Sequence, residues 1–312
     1  MEKLESIWMD GALVPWDQAN VHVLTHALHY GTGAFEGIRS YEKADGRAAI
    51  FRLRDHVRRL FDSGRVLGLE VPFSFDAIVD GCLQTLAANG LRAGYLRPLL
   101  FIGDGVMGIH PADCPTRLVI AAWKWGRYLG DAALTKGIRV KVSSFCRPHP
   151  NSQMTIAKSS GGYVTGVLAS REARALGFDE ALLLDVEGYV AEGPGQNLFI
   201  VRRGRLKTPP LGHILPGITR DTVLAFARDL GIDAVEQRLT RDEVYCADEV
   251  FFCGTAVEIT PIRELDGRVV GTGAPGPVTR RIQDLYFRTA EGREPRYRDW
   301  LEFVGSEVIA RR

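Results

Sequence analysis

The alternation of apolar and polar positions divides the chain into short strands and amphipathic helices. Ile7 to Met9 and Ala12 to Val14 flank Asp10-Gly11, a dipeptide that favours a two-residue hairpin turn. Gly37 to Tyr41 and Ala49 to Leu53 read as two further strands, with a turn around Asp45-Gly46. A helix is predicted from about Arg54 to Leu67, because Val57, Leu60, Phe61 and Leu67 fall largely on one face. A second runs from Phe75 to Ala88 and stops before Asn89-Gly90. Tyr95 to Ile102 and Leu118 to Trp123 are strand-like.

The stretch from Gly126 to Gly137 is the best boundary candidate, and Ile138 to Ser143 opens a new strand after it. Tyr163 to Leu176 reads as a helix ended by Gly177. Strands are expected at Ala181 to Asp185, Tyr189 to Ala191, Leu198 to Val201 and Arg205 to Lys207, the last two joined at Arg203-Gly204. Thr219 to Leu230 is a helix stopped by Gly231, and Thr240 to Glu243 is a capping box opening a short one. Glu249 to Cys253 is a strand running into Gly254-Thr255-Ala256. There is no strict βαβ rhythm, no GxGxxG after a first strand and no internal repeat. The pattern therefore predicts an α+β fold rather than a dinucleotide-binding one.

At 312 residues, two domains are the natural expectation. The division placed here is a small N-terminal domain over 1–126, an interdomain loop over 127–137 and a larger C-terminal domain over 138–312. Hydrophobic residues at 46% and charged residues at 25% suit a soluble globular enzyme. Lys plus Arg total 39 against 38 for Asp plus Glu, so charge makes no case for a nucleic-acid partner. Cys82, Cys114, Cys146, Cys246 and Cys253 are odd in number and form no CxxC pair. No disulfide framework or metal site is expected, and a reducing cytosol fits. The N-terminus has no signal-like apolar region, and runs such as Leu118 to Trp123 are too short to span a bilayer.

Four features could carry chemistry. Leu215-Pro216-Gly217-Ile218-Thr219 turns into a helix start, whose unpaired N–H groups and dipole suit an anion; an ordinary capped helix is the plain alternative. Gly254-Thr255-Ala256 is a small-residue turn after a strand, either a nest for phosphate or carboxylate or a simple turn. Lys158 lies among small residues with Tyr163 five positions on, and is either a surface lysine or one that bonds a carbonyl ligand. Glu192 sits beside Gly193-Pro194-Gly195, either solvated or poised to pair with a pyridine nitrogen. Together these are the groups a pyridoxal 5′-phosphate site requires.

The chain resembles the class IV, or fold-type IV, pyridoxal-phosphate aminotransferases, and among them the bacterial branched-chain amino acid aminotransferases. The resemblance runs from Trp8 to about Ile282. It is carried by His26-Ala27-Leu28-His29-Tyr30-Gly31, Phe35-Glu36-Gly37-Ile38-Arg39, Tyr95-Leu96-Arg97-Pro98, Leu215 to Asp221, and Ala247 to Ala256. It implies a two-domain α+β architecture and a ping-pong transfer of the amino group between branched-chain L-amino acids and 2-oxoglutarate. Glutamate and 2-oxo acids are the other implied substrates.

Lys158 is then the implied cofactor lysine and proton carrier, Glu192 the partner of the pyridine nitrogen and Tyr163 that of the phenolic oxygen. The implied phosphate holders are Arg59, Thr255 and the turn with Leu215, Gly217, Ile218 and Thr219. Thr255, Ala256 and Tyr95 would receive the α-carboxylate. Phe35, Gly37, Tyr30, Trp125 and Tyr128 would shape an apolar pocket, with Arg97 for the second carboxylate of glutamate. A homodimer or a dimer-based higher oligomer is also implied. Gly162 and Gln196 depart from the relatives' pattern, where Asn and Glu are frequent. Competing readings on the same fold are a D-amino-acid or (R)-amine transaminase and aminodeoxychorismate lyase; a non-catalytic cofactor binder and a plain phosphoanion binder are the others.

Overall fold

The computed structural model describes residues 2–43, 45–111, 113–126 and 128–304. The chain divides into two compact units. The first holds residues up to Gly126, Ala157–Gly161 and those from Arg288 on; the second holds Arg127–Ile156 and Gly162–Phe287. Each unit is built on a sheet of its own.

The first unit contains β1 (Ser6–Met9), β2 (Ala12–Pro15), α1 (His26–Tyr30), β3 (Gly33–Phe35), β4 (Ile38–Glu42), β5 (Ala48–Phe51), α2 (Leu53–Leu67), α3 (Phe75–Ala88), β6 (Gly94–Ile102) and β7 (Thr116–Trp123). A last strand, Leu301–Phe303, pairs with β5. All pairings are antiparallel, in the order Leu301–Phe303, β5, β4, β6, β7, β1, β2, with β3 also on β6. The β1–β2 turn has positive φ at Asp10 (47°) and Gly11 (99°), the geometry that Asp-Gly tolerates.

The pleat of β6 separates two jobs. Leu96 and Leu100 point into a core with Ile38, Leu118, Ile120 and Ala122 from neighbouring strands. Leu53, Val57 and Leu60 of α2 and Ile78, Cys82 and Leu86 of α3 close that core, at helical spacing. Tyr95 and Arg97 point to the opposite face, where Trp123 stands directly across from Tyr95.

The second unit contains α4 (Asp131–Lys136), β8 (Ile138–Cys146), α5 (Tyr163–Ala175), β9 (Glu180–Leu184), β10 (Asn197–Arg202), β11 (Arg205–Thr208), α6 (Ile218–Asp229), β12 (Ala234–Glu236), α7 (Arg241–Tyr245), β13 (Glu249–Gly254), β14 (Glu258–Leu265), β15 (Arg268–Val269) and α8 (Pro277–Ala290) up to Phe287. Its sheet runs β12, β11, β10, β13, β14, β8, β9, with β15 on β14. It mixes antiparallel pairs with three parallel ones, β11–β12, β14–β8 and β8–β9.

The capping box at Thr240 and Glu243 forms as expected. Three expectations differ. The C-terminal domain placed at 138–312 gives up Ala157–Gly161, which hydrogen-bonds along β3, and the residues from Arg288 on, where Leu301–Phe303 pairs with β5, to the first unit. The 127–137 loop contains α4, because Ala132, Ala133 and Leu134 favour a helix between Gly130 and Gly137, whose φ values are 84° and 77°. Tyr189 to Ala191 forms no extended strand: Val190 makes an isolated bridge to Leu184, flanked by backbone hydrogen bonds from Asp185 N–H to Tyr189 O and from Ala191 N–H to Leu183 O. Among the described residues no helix is long and apolar enough to cross a membrane, and no group of three or more His, Cys, Asp or Glu could hold a metal ion.

Candidate active site

The first unit builds its site around the segment 157–161, which lies along β3. Phe35 N–H donates to Lys158 O at 3.0 Å, Ser160 N–H to Gly33 O at 2.7 Å and Gly161 N–H to Gly31 O at 3.1 Å. Gly31 and Gly161 permit this approach: a Cβ on Gly31 would stand 2.9 Å from Gly161 Cα. Lys158 N–H in turn donates to Ser63 Oγ of α2 at 3.0 Å. Lys158 is thus half-buried, with Nζ 5.0 Å from the centre of the Phe35 ring, and is not a free surface lysine.

The outward face of β6 carries a cation among rings. The Arg97 guanidinium lies 4.6 Å from the Phe35 ring centre, 5.5 Å from Trp123 and 5.7 Å from Tyr95. Its buried Nε has no hydrogen-bond partner. Trp125 meets Tyr95 edge-on at 4.5 Å. Gly37 makes room for the Tyr95 hydroxyl, since a Cβ there would fall 1.9 Å from Oη. Tyr30 is more exposed; its hydroxyl donates to Met107 O at 2.9 Å and its ring packs on His26. Trp123 joins the aromatic set without having been singled out in the sequence, where it reads as a strand-end residue.

Below this face lies a buried ionic cluster. His56, Arg59 and Ser63 fall at i, i+3 and i+7 on α2 and form a second, polar buried stripe. Glu36, wholly buried, accepts from Arg59 Nε at 2.7 Å, Arg59 Nη2 at 2.8 Å and His56 Nδ1 at 2.7 Å. Burial alone would raise the Glu36 pKa. The charge of Arg59 and the hydrogen bonds from Arg59 and His56 outweigh it and hold the carboxyl well below its usual range. Burial dominates for His56 and pushes it below its ordinary value against the pull of Glu36, helped by the charges of Arg59 and Lys158. His56 is therefore neutral near neutrality, with Nδ1–H donating.

The second unit gathers its groups at one end of its sheet. Asn197 opens β10 and pairs with Cys253 of β13, so the 192–196 loop and the Gly254-Thr255-Ala256 turn emerge together. Glu192, buried, accepts from Asn197 Nδ2 at 3.0 Å and from Leu215 N–H at 3.2 Å. Arg147 Nε is 3.0 Å from Glu192 Oε1, an ion pair in which the N–H is not aimed at the oxygen. Asn197 Nδ2 also donates to Leu215 O at 3.0 Å and so ties down the turn into α6. A Cβ on Gly217, the cap residue, would sit 1.9 Å from Asn197 Oδ1.

The N–H groups of Ile218 and Thr219, in the first turn of α6, have no intrahelical acceptor, and no side chain caps that end. Tyr163 opens α5 beside Gly195, and Gly166 lets that helix touch Pro194 O. Gln196 accepts from Gly195 N–H through Oε1 at 3.0 Å, while its buried Nε2 has no partner. The Tyr128 hydroxyl meets Arg174; burial first and the Glu180 charge second raise its pKa. Glu36, His56, Ser63, Arg147 and Asn197 were not singled out in the sequence. Only Glu36 carried a signal, as a carboxylate wedged between Phe35 and the strand that follows.

The family model described as amino-transferase class IV matches residues 33–265. The chain belongs to the class IV aminotransferase family. It is 49% identical over 298 residues to the branched-chain-amino-acid aminotransferase of Pseudomonas aeruginosa, covering 96% of this chain and 97% of that one. The crystal structure of the Escherichia coli branched-chain amino acid aminotransferase superposes with a TM-score of 0.95 at 46% identity, covering 97% of this chain and 100% of that one. That of the Thermobaculum terrenum branched-chain enzyme in its PLP form gives 0.91 at 37% identity, with 98% and 100% covered.

The buried cluster makes stability sensitive to acid. The unfolded chain protonates His56 near its ordinary 6.5 and Glu36 near 4.5, whereas the folded chain protonates each only at lower pH. Both contributions are present above those values and are lost as pH falls below them. Urea midpoints should therefore drop from neutrality to about pH 4 in two stages. His56→Asn, which keeps a donor for Glu36 but cannot titrate, should remove the upper stage; a variant curve parallel to the parent's would refute the assignment.

Proposed function

We propose that this chain is a pyridoxal-phosphate-dependent branched-chain-amino-acid aminotransferase that exchanges amino groups between leucine, isoleucine or valine and 2-oxoglutarate. The observation that carries the substrate reading is Arg97. One guanidinium set among Phe35, Tyr95 and Trp123 offers an apolar wall to an aliphatic side chain and a cation to the second carboxylate of glutamate.

The residues also suit the cofactor. The uncapped start of α6 at Gly217, Ile218 and Thr219 suits a phosphate, with Leu215 supporting the turn and Arg59 and Thr255 as further holders. Glu192 is a buried carboxylate of the kind that holds a pyridinium N–H, and the Tyr163 hydroxyl would meet the phenolic oxygen. Pyridoxal phosphate, when bound, supplies an electron-withdrawing ring that makes the substrate Cα–H acidic. Lys158 Nζ would take the proton from the substrate Cα and deliver it to C4′ of the cofactor in one half-reaction, and carry it the opposite way with the second oxo acid. The Thr255 and Ala256 N–H groups and the Tyr95 hydroxyl hold the α-carboxylate. Tyr30, Trp125 and Tyr128 complete the apolar lining proposed for the side chain.

Titration of the cofactor-loaded enzyme with L-leucine, with no oxo acid present, should bleach the visible band, and 2-oxoglutarate should restore it. Bleaching by D-leucine alone would overturn the stereochemical reading. Lys158→Ala should abolish both changes. Gly37→Ala, which drives the Tyr95 hydroxyl off its position, should raise the KM for leucine about tenfold while the thermal midpoint moves little. An unchanged KM would remove Tyr95 from substrate binding.

We also infer a homo-oligomer. Val164, Val167 and Leu168, 61%, 55% and 41% exposed, line one side of α5 at helical spacing and leave an apolar stripe in water. Sedimentation should give at least twice the mass of 34.5 kDa, and a monomer would refute the assembly.

A further inference from the structure

Glu36 is not among the residues that the family resemblance implies for the site. Its role rests on the cofactor reading above, in which Arg59 meets the phosphate. We propose that Glu36 is the positioning residue of that phosphate anchor: its carboxylate fixes the Arg59 guanidinium so that the phosphate encounters a cation already set in place.

The geometry is that of a two-pronged pair, Nε to Oε1 at 2.7 Å and Nη2 to Oε2 at 2.8 Å, with Arg59 itself only 9% exposed. Such a pair fixes the plane of the guanidinium as well as its position, which a point charge would not. Glu36 is fixed in turn. Its N–H donates to Pro98 O at 2.8 Å, and its Oε2 also accepts from His56 Nδ1 and, at 3.2 Å, from Gly37 N–H. Four donors thus converge on one carboxylate, all supplied by α2 or by its own turn.

The turn lies where β6 stops pairing with β4, after Leu96, and before it pairs with β3, from Leu99. Three consecutive residues, Phe35 at the end of β3 and Glu36 and Gly37 in that gap, each set one functional group. Phe35 N–H holds the Lys158 backbone, the Glu36 side chain holds Arg59, and Gly37 gives space to the Tyr95 hydroxyl. A buried ion pair is a poor device for stability alone, because removing two charges from water costs about as much as their attraction returns. Its use here is to hold one cation in one orientation.

The test is cofactor binding to the apo-enzyme, titrated separately with pyridoxal 5′-phosphate and with pyridoxal, which lacks the phosphate. Glu36→Gln keeps the shape and removes the charge. It should weaken pyridoxal 5′-phosphate about tenfold or more and leave pyridoxal within about twofold. Inorganic phosphate should also compete less well against the cofactor in the variant. Equal weakening of both ligands would make Glu36 merely structural and overturn the proposal, as would no weakening of either. If Glu36→Gln does not fold, Glu36→Asp carries the same comparison, since it keeps the charge but loses the reach. A parent enzyme that binds pyridoxal as tightly as its phosphate would instead overturn the reading of Arg59 on which the inference stands.

Discussion

The pleat of β6 places Leu96 and Leu100 on one side of the first unit's sheet and Tyr95 and Arg97 on the other. That alternation is an obligation of extended backbone, with a side-chain period of two. One face must bury enough apolar surface against α2 and α3 to hold the unit together, which leaves the other free to present a cation among rings. A slip of one residue in the β6–β7 register would exchange the two faces, so the core and the substrate wall are specified by the same hydrogen bonds.

Burying charge imposes the next level of order. Glu36 and Glu192 are both out of water, and each is surrounded by donors that leave its oxygens few other arrangements. A carboxylate of this kind transmits position: Glu36 to Arg59, and Glu192 through Asn197 and Leu215 to the start of α6. The glycines serve the same end by omission. Gly37 and Gly217 each stand where a single carbon would displace a polar atom of a functional neighbour.

Much of this was legible along the chain. The helices at 53–67 and 75–88, the hairpins at Asp10-Gly11 and Arg203-Gly204 and the capping box at Thr240 follow from local rules of spacing and backbone freedom. Lys158, Glu192 and the turn into α6 stood out because their residue types and neighbours are unusual for solvated loops, whereas Arg97, within a strand, was implied by the family resemblance alone. What escaped notice shares one trait. His56, Ser63, Arg147 and Asn197 act on partners 5 to 95 positions away in the sequence, and nothing in their own neighbourhoods marks them.

The sequence by itself therefore determined the class of fold, the elements governed by short-range patterning and the inventory of chemical groups. Each of these depends on interactions within a few residues, or on residue type alone. Only the tertiary structure decided which strands pair and which faces they turn inward. It also decided that Glu36 neutralises Arg59, that Asn197 links Glu192 to Leu215 and that Ser63 holds the backbone of Lys158. Those outcomes follow from the requirement that buried donors, acceptors and charges be satisfied, and the partners that satisfy them are chosen by proximity in the folded chain.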